Sequence, residues 1–347
     1  MNMRRVVFCL VSALMCLIVS SCSKSSNVGG VSNVKLAGSG SSFIDPLFQR
    51  WFADIDKVHP GVRIDYQAVG SGGGISALTA KTVDFAASDA AMTDEEAGKV
   101  EGGVVMLPMT AGSVVLAYNV PGAPDHLKLS REAYVGIFLG KITKWNDAAI
   151  TKTNEGITLP DLNITPVYRA DSSGTTFVFT QHLSAVSEEW KKGPGVGKSV
   201  TWKTGVGGKK NDGVASQIKS TPGAIGYIEF GFVKQANLMT ASLQNKDGAF
   251  VQADTASAQK ALASVPMPDN LVAWVPDPVG KDAYPIVTYS WLLAYKTYAD
   301  PAKAKTVKDV VRYGLGEGQK VSEELGYVPL PSEVTAKILA KVDEIKP

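Results

Sequence analysis

Apolar residues recur along this chain in two alternating rhythms, and the alternation predicts the class of fold. A short apolar run from Val34 reads as a strand, followed by the loop Gly38-Ser39-Gly40-Ser41-Ser42-Phe43. Leu47, Trp51, Ile55 and Val58 then fall at the spacing of one helix face, which His59-Pro60-Gly61 ends. Val62 to Ala68 is a second strand. Gly70-Ser71-Gly72-Gly73-Gly74 opens a short helix from Ile75 to about Lys81, and Val83 to Asp89 is a buried strand that delivers Asp89 at its end. A third short helix is expected near Asp94 to Lys99. This rhythm predicts an α/β fold around an open, mostly parallel sheet, where ligands collect beyond the carboxyl ends of the strands. Ser42, Ser71 and Asp89 all fall at such ends.

The second part of the chain repeats the arrangement. Val114 to Asn119 is apolar, and Pro121-Gly122-Ala123-Pro124 after it reads as a crossing. A helix is expected around Arg131 to Leu139 and a strand over Ile164 to Tyr168. A long helix carries Phe179, Leu183, Val186 and Trp190 at helical spacing, and Gly205 to Gly213 reads as a Gly/Lys-rich loop. Thr221 to Tyr227 is a turn into a buried strand, and Asn245-Lys246-Asp247-Gly248 a hairpin turn. Ile286 to Tyr295 crosses back. The last helix is expected to be capped by Ser332, with Val334, Ile338, Val342 and Ile345 inward. Four loops of like chemistry predict two lobes across a cleft: lobe I over 34–118 plus 288–347, and lobe II over 119–287.

Composition narrows this only slightly. The 347 residues suggest about two domains. With 45% hydrophobic and 20% charged residues, neither a disordered chain nor a multi-span membrane protein is indicated. Residues 1–21 read as a leader: Arg4 and Arg5 precede an apolar core, Val6 to Val19, too short to span a bilayer comfortably. Val19-Ser20-Ser21-Cys22 resembles the lipobox of bacterial lipoproteins. Cys22 is therefore expected to carry the lipid, with 22–33 as a flexible tether; plain cleavage and secretion is the alternative. The other two cysteines, Cys9 and Cys16, lie inside the leader, so the remaining chain has no disulfide or Cys-based metal site. Removing the leader removes two basic residues and no acidic one, taking the formal charge from +2 to 0. A polyanion-binding protein would not look like this, so nucleic acid is not expected as a partner.

Candidate chemistry concentrates in Arg169-Ala170-Asp171-Ser172-Ser173-Gly174-Thr175-Thr176, between a strand and an apolar helix. A Ser/Gly/Thr loop at a helix start offers free backbone N–H groups, hydroxyl donors and the positive end of the helix dipole. Arg169 adds a donor fork suited to a tetrahedral oxyanion, and Asp171 could hold that fork from the side. Taken alone, the run is equally an ordinary N-cap.

Four segments in order carry a specific resemblance: Gly-Ser-Gly-Ser-Ser-Phe (38–43), Gly-Ser-Gly-Gly-Gly (70–74), Asp-Phe-Ala-Ala-Ser-Asp-Ala (84–90) and Arg-Ala-Asp-Ser-Ser-Gly-Thr-Thr-Phe (169–177). They are similar to the ligand loops of the phosphate-binding proteins of bacterial ABC phosphate importers, the PstS family. Leu-Gly-Lys-Ile-Thr-Lys-Trp-Asn-Asp (139–147), Gly-Gly-Lys-Lys-Asn-Asp-Gly-Val (207–214) and Pro-Gly-Ala-Ile-Gly-Tyr-Ile-Glu (222–229) agree as well. The resemblance runs from about Leu36 to the C-terminus. It implies a two-lobed periplasmic-binding-protein fold that closes on one inorganic phosphate and delivers it to the transmembrane permease subunits. It also implies an extracytoplasmic monomer that meets the membrane through its lipid anchor only, with no cofactor, no metal and no catalytic residue.

By position, the implied phosphate contacts are Ser41, Ser42, Phe43, Ser71, Asp89, Arg169, Ser173, Gly174 and Thr175, with Asp171 steering Arg169. Ser42 stands where Thr is common in the family, Ser172 where Gly is common, and Thr176 where Ser is common. A carboxylate such as Asp89 can accept the proton that phosphate retains near neutral pH, whereas sulfate has none to offer. The same residues admit two rival readings. Ser32-Asn33-Val34-Lys35 and Lys203-Thr204-Gly205 mimic pieces of β-lactamase-like enzymes, but Ser32 lies in the tether, and His59, His126 and His182 are too scattered for a phosphate-ester hydrolase. The other rival is a binding protein for sulfate, molybdate or arsenate.

Overall fold

The computed structural model describes residues 33–347, so the leader, Cys22 and nearly all of the tether lie outside the described residues. Twelve strands follow in order: β1 (Val34–Gly40), β2 (Val62–Ala68), β3 (Phe85–Ser88), β4 (Val104–Tyr118), β5 (Lys128–Leu129), β6 (Thr165–Arg169), β7 (Val206–Gly208), β8 (Ala224–Glu229), β9 (Met239–Thr240), β10 (Ser242–Gln244), β11 (Phe250–Val251) and β12 (Val287–Tyr295). Nine of them form one sheet in the order β2-β1-β3-β12-β4-β8-β6-β7, with β9 also on β4. The hairpin expected at Asn245 joins β10 to β11 in a small second sheet with β5.

Strand direction decides where a ligand can sit. β1, β2 and β3 run parallel, and so do β6, β7 and β8. β12 and β4 pair antiparallel with each other, β12 with β3 and β4 with β8, so the two parallel sets point in opposite directions. β4 spans both halves of the sheet: it pairs with β12 from Val104 to Ser113 and with β8 from Val114 to Tyr118. The carboxyl ends of both parallel sets therefore converge on the middle of β4, and the loops after β1, β2, β3 and β6 meet there.

Burial follows from the same arrangement. All nine residues of β12 are buried, as is β4 from Leu107 onward, because central strands are covered on both faces. The helix Asp45–Val58 presents Leu47, Phe48, Trp51, Phe52 and Ile55 to this half, where Phe48 also meets Tyr66 of β2 and Phe85 of β3. In the other half Phe138, Phe179, Trp202 and Tyr227 pack together, with the Phe179 and Tyr227 rings stacked at 4.4 Å. The register of β12 on β4 shifts between Ser290 and Trp291, beside Pro108, which has no N–H to give a ladder.

The structure corrects several local expectations. The long helix from Gly174 breaks at Ser187, which is extended and accepts the Trp190 N–H as cap of a new helix, Glu188–Lys192. The Gly205–Gly213 stretch is not a plain loop: it holds β7 and the opening of the helix Lys210–Ser220. The glycines at 72–74 lie inside a helix, Ser71–Thr79, rather than before it. Gly74 is needed there, since a Cβ would come within 2.5 Å of the Gly40 Cα. The helix after β3 is Asp94–Gly98, and its cap is Thr93, paired reciprocally with Glu96. Ser332 is the first residue of the last helix, not its cap; Pro331 holds that position with no side-chain bond.

Candidate functional site

Asp89 leaves the end of β3 and is buried, 1% exposed. Ser41 donates to its two oxygens at 2.7 and 2.6 Å, and Ser290 donates to Oδ1 at 2.7 Å. The register shift in β12 occurs at Ser290, re-aiming a strand side chain as bulges beside sites do. Burial pushes the Asp89 carboxyl up from 3.8 to about 6, and the two hydroxyls and the Arg169 charge limit the rise.

Arg169 ends β6, is 4% exposed, and is held on three sides. Its Nε donates to Asp171 Oδ1 at 2.9 Å, its second terminal nitrogen to Asp171 Oδ2, and the first to Thr175 Oγ1 at 3.1 Å. Its backbone N–H donates to the Tyr227 hydroxyl at 2.9 Å. Asp171 also accepts the Lys210 backbone N–H at 2.9 Å. Burial acts to raise the Asp171 carboxyl, but the Arg169 fork and these N–H groups outweigh it and hold it below the usual range. Asp171 thus grips the Arg169 guanidinium with both carboxylate oxygens.

The strand-end loops of the two halves touch. Gly72 donates its N–H to the Ser172 carbonyl at 3.0 Å. Gly174 packs directly on the first half: a Cβ there would lie 2.5 Å from Ser71 Oγ and 2.7 Å from Asp89 Oδ2. Lys198, whose carbonyl takes the Ser173 N–H, pairs with Glu96 at 2.6 Å. Every residue expected at the site except Asp171, which is half-buried, is buried.

The hydroxyls show how the site is wired. Ser71 Oγ accepts the Asp89 N–H at 3.3 Å, Ser173 Oγ the Thr176 N–H at 3.1 Å, and Thr175 Oγ1 the Arg169 guanidinium. Ser42 Oγ accepts two bonds from Asn211. Each of the four keeps its own proton to give. Gly174 and Thr175, in the first turn of their helix, add N–H groups that have no intrahelical acceptor. Two expected donors are committed elsewhere: the Ser41 N–H goes to the Ala87 carbonyl at 2.8 Å, and the Phe43 N–H to Ser41 Oγ at 2.9 Å. Ser41, backed by the Phe43 N–H, therefore braces Asp89, while the Ser42 hydroxyl has no protein acceptor among the described residues.

Sequence reasoning did not single out Asn211, Ser290, Tyr227 or Glu229. Asn211 lay in the matched 207–214 segment, and Ser290 alternates with Thr288 as a polar position in an otherwise apolar strand, which is a detectable signal. Glu229 is fully buried at the end of β8 and caps the next helix through the Gly231 and Phe232 N–H groups. Burial drives its carboxyl far above the ordinary range, with the nearby Asp89 charge adding to the rise and those N–H groups pulling against it. The histidines stand apart: His182 is buried between the Tyr134 hydroxyl and the Pro276 carbonyl, His59 follows a helix end, and His126 is in a turn. Trp145 and Trp190 each donate to a backbone carbonyl, and Trp202 stacks between Tyr168 and Tyr227, so all three are packing residues. Among the described residues no group of His, Cys, Asp and Glu could hold a metal ion, and no helix is long and apolar enough to cross a membrane.

The family model for a PBP superfamily domain matches residues 26–317. The phosphate-binding protein PstS of Xylella fastidiosa (strain 9a5c) is 41% identical over 313 residues, covering 89% of this chain and 85% of the relative. The protein of the same name from Pasteurella multocida (strain Pm70) is 41% identical over 309 residues, covering 88% and 89%. A solved phosphate-binding protein from Stenotrophomonas maltophilia shares the fold at a TM-score of 0.72, with 20% identity over 88% of this chain and 93% of that one. The chain belongs to the PBP superfamily and, within it, to the PstS family.

Proposed function

We propose that this protein captures inorganic phosphate outside the cytoplasm and hands it to the transmembrane permease subunits of an ABC importer, without chemical turnover. The observation that carries this is the wiring of the site. Ser42, Ser71, Ser173 and Thr175 each have an oxygen already taken by a protein N–H and a proton left to give. With Arg169 and the N–H groups of Gly174 and Thr175 they form a cage of donors around one ionisable acceptor, Asp89. A desolvated oxyanion needs many donors, because each unpaired polar atom costs a few kcal/mol. A phosphate that keeps one proton also needs one acceptor. Ser41, Phe43 and Asp171 act through Asp89 and Arg169 rather than on the anion.

The lobes in this proposal are 34–118 plus 288–347 and 119–287, closing on the anion where the strand ends converge. The protein works as a monomer, tethered by a lipid on Cys22 after removal of residues 1–21. Arsenate matches phosphate in shape and protonation and enters the same cage; sulfate and molybdate leave Asp89 without a proton to accept. The test is thermal stabilisation of the soluble chain by phosphate, arsenate, sulfate and molybdate. A ligand at a thousand times its dissociation constant adds about 4 kcal/mol. Stabilisation by phosphate and arsenate well beyond that by sulfate is expected; equal responses, or none to phosphate, overturn the proposal.

A further inference from the structure

A hydroxyl oxygen has one proton to give and two lone pairs to fill. At Ser42 one residue fills both lone pairs. Asn211 donates its backbone N–H to Ser42 Oγ at 3.2 Å and its side-chain Nδ2 at 3.1 Å. The amide is not free to turn over, because its Oδ1 accepts the Glu229 backbone N–H at 3.2 Å. A flipped amide would set an NH2 against that N–H. Both Asn211 and Ser42 are buried, so water does not replace these bonds. With its oxygen saturated, the Ser42 hydroxyl has a proton to place, and among the described residues no protein acceptor takes it.

We infer that Asn211 is a positioning residue for anion recognition: it forces the Ser42 hydroxyl to donate and never to accept. This rests on the reading of the site as phosphate-binding and sharpens it. Ser71, Ser173 and Thr175 each have one lone pair taken by the protein, and so can still accept from a protonated ligand oxygen. Ser42 cannot. It demands a bare oxygen, as ionised Asp89 demands a protonated one, and the pair fixes which way round a protonated tetrahedral anion lies. Asn211 belongs to the helix after β7 and Ser42 to the loop after β1, so this donor is aimed only when the two sets of strand ends meet.

The test is a double-mutant cycle read by titration calorimetry with inorganic phosphate: wild type, Ser42→Ala, Asn211→Ala and the double variant. Each single change should weaken binding about three- to tenfold, the usual net effect of one hydrogen bond. The double variant should bind no more weakly than Ser42→Ala alone, because Asn211 acts through that hydroxyl. An Asn211 with a merely structural role would weaken both backgrounds by the same factor. That additive result overturns the inference, as does full affinity in Asn211→Ala. Should Asn211→Ala fail to fold, Asn211→Asp keeps the shape and the acceptor for the Glu229 N–H but draws the Ser42 proton to itself. Wild-type affinity in Asn211→Asp also overturns the inference. A wild-type chain that shows no phosphate binding overturns the proposed function along with it, whereas a binding wild type with an additive cycle overturns the role of Asn211 alone.

Discussion

Replacing Asp89 with Asn separates what this carboxylate does for the ligand from what it does to the fold. In the ligand-free chain burial lifts its pKa from 3.8 to about 6. At 1.36 kcal/mol per pKa unit, holding the group ionised above pH 6 costs the folded state about 3 kcal/mol relative to the unfolded chain. The native state binds this proton more tightly than the unfolded state. The group's stabilising contribution is therefore complete below about pH 4 and is lost as pH rises through about 6. Asn does not titrate. The stability difference between Asp89→Asn and wild type should grow in favour of the variant by up to about 3 kcal/mol between pH 4 and pH 8. At roughly 2 °C per kcal/mol for a chain of this size, that is about 6 °C in Tm. An amide among the Ser41 and Ser290 hydroxyls carries a packing and hydrogen-bond penalty of its own, but that penalty does not change with pH, so the slope is diagnostic. The assay is a melt of both proteins without ligand across this pH range, followed by competition between phosphate and sulfate. The variant should lose preference for phosphate while gaining stability at high pH. A Tm difference that stays constant with pH would refute the buried, costly carboxylate, and unchanged discrimination would remove Asp89 from proton recognition.

Three further outcomes follow from the geometry. Arg169→Ala should weaken phosphate binding at least about tenfold, a charged hydrogen bond being worth roughly 1.5–3 kcal/mol; titration calorimetry showing no change contradicts it. Gly174→Ala puts a methyl 2.5 Å from Ser71 Oγ and 2.7 Å from Asp89 Oδ2, so the loops must separate. At the 1–3 kcal/mol typical of overpacking, affinity should drop by about 5- to 160-fold, and an unimpaired variant refutes the close approach. Lys198→Met keeps the stem and removes the pair with Glu96, which should lower the melting stability by about 1 kcal/mol. For Glu96, burial pulls the pKa up, but Lys198 and the Thr93 N–H prevail and leave it lowered. The pair's contribution is therefore present above Glu96's ordinary 4.5 and fades as pH falls through the lower folded value; a Lys198→Met deficit that does not shrink at all as pH falls below 4.5 would contradict this.

Much of the fold was legible because each half obeys one rule at a time. The strand from Val34, the helix face of Leu47, Trp51 and Ile55, and the strand delivering Asp89 all carry simple periodicity. The failures have local physical causes. Ser187 broke a helix whose apolar spacing ran straight on to Trp190, because a Ser hydroxyl can end one helix and start the next. Gly72 and Gly73 read as loop residues by composition, yet they belong to a helix that starts at Ser71. At the site, the glycine- and serine-rich loops stood out by composition, whereas the contacts that Ser290 and Asn211 make there did not. Both reach the site from elements far along the chain, and only the pairing of β12 with β3 and the opening of the Lys210–Ser220 helix bring them near.

The formal charges at the site do not favour an anion. Arg169 is offset by Asp171, whose carboxyl is held ionised by the fork it grips. Asp89 adds a negative charge above pH 6, while burial drives the Glu229 carboxyl well above its ordinary range, with the nearby Asp89 charge acting in the same direction. The balance is therefore zero or below. With residues 1–21 removed, as proposed, the chain carries no formal net charge, so no net positive charge compensates. What remains is directional: hydroxyl protons whose oxygens are already occupied, first-turn N–H groups, and a guanidinium that cannot swing away. Charge alone would draw in any dianion, whereas a near-neutral cage rewards only a ligand whose oxygens and single proton match the donors and the one acceptor. On the proposed reading, selectivity at this site comes from giving up net attraction, and Asp171 serves it by holding Arg169 in place.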